Sequence, residues 1–184
     1  MLTNKAVYIV VYLLLYPTLG FAPGKSSLIA SKDTRIAVAD VMFQSTVSLT
    51  SAAAQVALDA ACQEASSNGF KVTIAVADAG GVPILVKRCD DAFPASYEIA
   101  VGKAKTAAQF QKPTGALEDS ANVSGGSSRA ALLSAPFVLM RGGVPIMANG
   151  KCIGAVGVSG VTPGQDESVA TAAVNALGSS ISKL

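Results

Sequence analysis

The 184-residue chain carries 14 Lys and Arg against 12 Asp and Glu, a net charge of +2, and 51% of it is hydrophobic. Lys5, Lys25, Lys32 and Arg35 stand against Asp33 and Asp40 in residues 1–48; the rest then balances at 10 basic (14 less 4) and 10 acidic (12 less 2), with no basic stripe for nucleic acid. Histidine is absent, which excludes Ser/His/Asp and Cys/His catalysis, and three cysteines (Cys62, Cys89, Cys152) show no zinc spacing and cannot form a disulfide framework.

The first element is an address. Ala6 to Leu19 is a nearly continuous apolar run behind Lys5, the length of a signal-peptide core and short for a membrane span. Gly20 then precedes Phe21-Ala22-Pro23 and a basic, hydroxyl-rich stretch (Lys25, Ser26, Ser27, Ser31, Lys32, Thr34, Arg35). The order resembles the two-part plastid presequence of algae with complex plastids. We therefore expect a signal over 1–20, a transit-like segment over 21–48, plastid localisation, and a mature form (49–184) with no stable membrane span. Plain secretion is the competing reading, and Ser182-Lys183-Leu184 matches the peroxisomal tripeptide.

Thr50 or Ser51 caps a first helix reaching Ser67, ended by Asn68-Gly69. Lys71 to Asp78 alternates and is rich in β-branched residues, so it reads as a strand; Gly80-Gly81 turns it into a second, Val82 to Arg88. After a polar corner, Ser96 caps a helix over Tyr97 to Phe110, with Lys103 partly buried by its stem. Pro113 to Gly126 is loop with one short helix, and Ser127 or Ser128 caps a brief helix to Leu133. Three apolar runs follow, Phe137 to Met140, Val144 to Ala148 and Cys152 to Ser159. Gly142-Gly143 and Asn149-Gly150 separate them, so the stretch reads as a three-stranded meander. Gly154, Gly157 and Gly160 mark either a ligand's approach or tight helix packing. Thr162-Pro163 opens the last helix, with Asp166 and Glu167 suited to its dipole. The fold class is α+β: a five-stranded antiparallel sheet flanked by helices, in the order α-β-β-α-(short α)-β-β-β-α. With only 14% charged residues, apolar surface is left over, and a homo-oligomer interface is its usual cover.

The stretches VADAGGVPILVKRCDDA, ASYEIAVGKAKTAAQF, RGGVPIMANGKCIGAVGVSG and TPGQDESVA, over about residues 49–178, resemble the GlcG/HbpS-like family of small haem-binding domains. A similar domain ends the PduO-type corrinoid adenosyltransferases. The resemblance implies an antiparallel sheet with flanking helices, assembly into dimers or rings, and haem binding or redox sensing in some members. Cys89 and Asp91 stand where the family pattern has methionine and glycine. Histidine serves some relatives as haem ligand; here another donor must serve, or contacts to the rim and propionates alone.

Beside Arg88, Cys89 gains thiolate character, and a thiolate is a nucleophile and a haem-iron donor, the one metal ligand we single out; Asp90 and Asp91 oppose this, and free cysteine is often mere packing. Cys62 and Cys152 read as core. Tyr97 is a phenolate donor or a packing residue. Arg88, Lys103 and Lys105 suit propionates or a small organic acid, solvated lysines being the plain alternative. Gly125, Gly126, Ser127, Ser128 and Arg129 form either an anion nest or an ordinary cap. Three readings stay open: a haem- or tetrapyrrole-binding oligomer with its cleft between the sheet, the second helix and the loop after it; an enzyme acting on a small hydroxy or oxo acid; and a non-catalytic scaffold.

Overall fold

The structure, a computed structural model, describes residues 46–122 and 134–181. All described elements belong to the unit that starts at Thr46. Residues 1–45 of the expected presequence, the expected helix and nest around Gly125, Gly126, Ser127, Ser128 and Arg129, and the terminal tripeptide lie outside the described residues.

Helix α1 (Ser51–Ser67) begins where expected, with Thr50 Oγ1 accepting from the Ala53 N–H at 3.2 Å. Strands β1 (Thr73–Asp78) and β2 (Pro83–Arg88) form a hairpin. Asp78 closes it: its Oδ1 accepts from the N–H groups of Gly80 and Val82, both at 2.9 Å. Helix α2 (Ser96–Phe110) corrects one expectation. Ser96 does not cap it but is its first, buried residue; its Oγ donates to the Phe93 carbonyl at 2.6 Å and lies 2.7 Å from Thr73 Oγ1, tying the helix to β1. Helix α3 (Thr114–Ala121) precedes the second hairpin, β3 (Gly143–Ala148) and β4 (Lys151–Ser159). Its turn is Asn149-Gly150, at φ +49° and +74°, as a type I′ turn requires. Helix α4 (Pro163–Ile181) ends the described chain.

The sheet is antiparallel with the order β2-β1-β4-β3, so it has four strands rather than five among the described residues. The missing strand is Phe137 to Met140. Its backbone turns to helix α2, where the Val138 N–H donates to Thr106 Oγ1 at 3.0 Å. Its side chains pack on helices as well: Phe137 meets Phe110 edge-on at 4.9 Å, and Leu139 joins Leu117 and Ala121. A short apolar run announces burial without saying whether sheet or helix buries it. At the nearby start of β3, the Gly143 N–H donates to Thr114 Oγ1 of α3 at 2.8 Å.

The sheet's two faces differ. Ile74 and Val76 of β1, Val156 and Val158 of β4 and Ile146 of β3 pack under α1 and α4. Each such side chain, fully buried, contributes about 1.5–3 kcal/mol. Ala75 and Ala77 face Ala100 and Ala104 of α2 instead. On that face a Cβ at Gly157 would fall on the Ala100 carbonyl oxygen and the Ala104 nitrogen. The glycine lets the helix backbone rest on the strand, which is the tight-packing reading; it opens no cleft there. Among the described residues no helix is long and apolar enough to cross a membrane.

Candidate functional site: a groove between α1 and the end of β2

The groove follows from the pleat of an edge strand. Paired residues of antiparallel strands share a face, and β2 pairs Lys87 with Ile74 and Arg88 with Thr73. Lys87 therefore lies on the α1 side. Pairing continues one residue beyond the strand, where the Cys89 N–H donates to the Val72 carbonyl at 3.0 Å. Cys89 thus returns to the face of Lys87, and both it and Cys62 of α1 pack against the same core cluster. Arg88 leaves from the other face but still lines the rim, as this strand has no neighbour on its outer side among the described residues. The resulting groove measures about 480 Å³; Cys62, Phe70, Lys71, Lys87, Arg88 and Cys89 carry its chemistry.

Three cations, Lys71, Lys87 and Arg88, outnumber the single carboxylate of the lining, Asp90. Among the described residues neither Lys87 nor Arg88 pairs with a carboxylate, and Lys71 has only a loose contact with Asp91, at 4.0 Å between exposed groups. Burial pushes the Cys62 thiol up from its ordinary range, and the neighbouring Lys87 ammonium pulls it part of the way back. A thiolate at Cys89 would raise Cys62 further, so the two sulfurs lie within electrostatic reach of each other.

Two other cations, Lys103 and Arg141, are consumed internally. Lys103, on α2, has a fully buried side chain; its Nζ donates to Asp166 Oδ2 at 2.7 Å and to the Val158 carbonyl at 2.8 Å. Asp166 also accepts from the Val161 N–H at 3.2 Å. Burial raises the Asp166 carboxyl, while Lys103 and the N–H groups of Val161 and Gly160 pull it down. Gly142 makes room for this pair: a Cβ there would lie 2.9 Å from the Lys103 ammonium. Arg141 bonds Asp119 at 2.6 Å and Glu167 at 3.1 Å, joining α3 to α4.

Residues 49–175 match the family model described as haem degrading protein HbpS-like. The chain belongs to the HbpS-like family. Protein GlcG of Escherichia coli K12 is 41% identical over 98 residues, which is 53% of this chain and 70% of that relative. Two solved structures share the fold. An HbpS double mutant from Streptomyces reticuli is 29% identical, with a TM-score of 0.66 over 86% of this chain and 99% of the other. A PduOC:haem complex is also 29% identical, with a TM-score of 0.65 over 71% of this chain and 95% of the other.

On this HbpS-like framework the expected site residues do not converge. Arg88 and Cys89 line the groove. Lys103 is sealed beneath β4 with Asp166, so it cannot rim a cleft. Lys105 packs where a Cβ on Gly81 would fall, at the β1–β2 turn. That is the far end of six-residue β2 from Arg88, on the order of 20 Å away along the strand. Tyr97 is half exposed in the first turn of α2 and is not part of the groove lining. The expected cleft beside α2 is filled by the α2–β4 packing at Gly157. The sequence alone gives Lys71 and Lys87 no site role and reads Cys62 as core, whereas all three line the groove. The spacing Lys87, Cys89 carried the signal, since alternate residues of a strand share a face.

Proposed function

We propose that this chain is an oligomeric haem- or tetrapyrrole-binding protein whose ligand sits in the groove between α1 and the end of β2. The observation that carries the proposal is the coincidence there of two thiols with three cations that the fold leaves available. The family description and the haem complex of the PduO-type relative support haem as the ligand. The groove's chemistry fits: its volume lies within the usual range for small-molecule sites, Phe70 and Ala65 supply apolar surface, and sulfur is an iron donor in a protein without histidine. Haem, when bound, supplies a redox-active iron. Lys71, Lys87 and Arg88 would hold its propionates, and Cys89, the thiol at the strand end, would serve as the sulfur donor. Oligomer assembly fits the exposure of Val82, Phe93 and Tyr97, apolar side chains that a second subunit would cover.

Titration of the full-length protein with hemin tests this reading. A saturable Soret shift at micromolar hemin is expected, with a changed band position in Cys89→Ser; no saturable shift rejects it. The same three cations favour a second reading, a small hydroxy or oxo acid as the ligand, whose carboxylate they would clamp. Glycolate displacing hemin from the groove, and raising the melting temperature by itself, would favour that reading. Delivery to a plastid through residues 1–48 belongs to the proposal too. An internal fluorescent tag after residue 48, leaving both ends free, should label plastids; peroxisomal label would refute the routing.

A further inference from the structure

The groove contains more sulfur than a single iron donor requires. Cys62 enters it from α1 and Cys89 from the end of β2, and both are partly buried free cysteines on one core cluster. The third cysteine, Cys152, lies on β4, does not line this groove, and donates to the Gly154 carbonyl at 3.2 Å. We propose that Cys62 and Cys89 form a dithiol that a hydroperoxide oxidises to an intramolecular disulfide, bridging α1 to β2 across the groove.

The surroundings favour this chemistry over a bridging metal ion. Lys71, Lys87 and Arg88 outnumber the one carboxylate of the lining, Asp90, so the groove repels a cation on balance and stabilises a thiolate and the hydroxide that leaves from a peroxide. Cys89, at the open end of the edge strand beside Arg88, is the sulfur that attacks the peroxide, and Cys62, across the groove on α1, is the thiol that resolves it. Cys89 sulfur takes one peroxide oxygen to become a sulfenic acid, and the other oxygen leaves as hydroxide, protonated by solvent. Cys62 sulfur then forms the S–S bond, and the sulfenic oxygen leaves as water with the Cys62 proton. In sum two thiols lose two electrons and two protons, and one hydroperoxide is reduced to an alcohol (or water) and one water.

For the groove as a ligand site, the consequence is regulation: the bridge crosses the groove and removes the sulfur donor. This part rests on the function proposed above, whereas the bridge itself does not. The test uses reduced full-length protein treated with hydrogen peroxide in slight excess and digested without reductant. The expected product is a Cys62–Cys89 cross-linked peptide pair, lighter by two hydrogens, reversed by dithiothreitol and retained in Cys152→Ser. In Cys62→Ser, Cys89 should stay as a sulfenic acid trapped by dimedone. Overturning results are a Cys89 sulfinic acid with Cys62 unmodified in the parent protein, or disulfides only between molecules. Hemin titration of the reduced and oxidised forms separates the two proposals. Cross-linking with at least a tenfold loss of hemin affinity supports both. Cross-linking without any hemin binding in either form leaves the dithiol and sinks the groove as a haem site, and hemin binding without cross-linking sinks the dithiol alone.

Discussion

Lys87 and Lys103 are both lysines on regular elements of one small domain, yet the fold puts them to opposite uses. Lys103 is fully enclosed, its charge neutralised at 2.7 Å by Asp166. Lys87 is exposed on an edge strand, beside two thiols and without a carboxylate partner among the described residues. One cation is structural and the other is free to meet a ligand. What separates them is the position of the nearest carboxylate in the folded chain, which local sequence does not display.

The largest effect should come from breaking the sealed pair. Lys103→Met leaves the Asp166 carboxylate buried without its cation and should cost about 3–5 kcal/mol in urea unfolding. Adding Asp166→Leu should recover most of that loss, because a well-packed apolar pair often replaces a buried ion pair without penalty. If the single variant is as stable as the parent, the contrast between the two lysines collapses. Lys87→Glu should do the reverse. Stability should change by no more than about 0.5 kcal/mol, as for other surface substitutions. Hemin affinity should fall roughly tenfold, about 1.4 kcal/mol, as read from the Soret titration.

A smaller effect sharpens the picture of the groove. The Lys87 ammonium pulls the Cys62 thiol down against burial. In a Cys89→Ser/Cys152→Ser background, alkylation of Cys62 by iodoacetamide should be slow at neutral pH and accelerate as pH rises, because burial raises the pH at which thiolate forms. Lys87→Glu should move that acceleration to still higher pH and slow the reaction at pH 8 by roughly a few-fold. Lys103→Met should leave the alkylation profile where it was.

Much of the fold was legible in the sequence wherever local chemistry decides the outcome. Thr50 caps α1, Asp78 with Gly80-Gly81 makes one hairpin and Asn149-Gly150 the other, each for reasons contained within a few residues. The expected strand at Phe137 to Met140 was not legible as helix-packed chain, because its partners Thr106, Phe110 and Leu117 lie on α2 and α3. The site was legible only in part. Arg88 and Cys89 flagged the end of β2, but Cys62 looked like one more core residue of an alanine-rich helix. Local sequence shows Asp166 only as a complement to the dipole of its own helix, and nothing nearby reveals that it neutralises a lysine 63 residues away.

Hydrogen exchange, followed by mass spectrometry on the full-length protein with and without hemin, tests the central claim most directly. If the groove between α1 and β2 holds the ligand, added hemin should slow exchange in the peptides spanning Cys62 to Lys71 and Lys87 to Asp90, and leave those around Lys103 unchanged. Protection confined to α2 between Tyr97 and Phe110, with residues 62–71 and 87–90 unaffected, would contradict it.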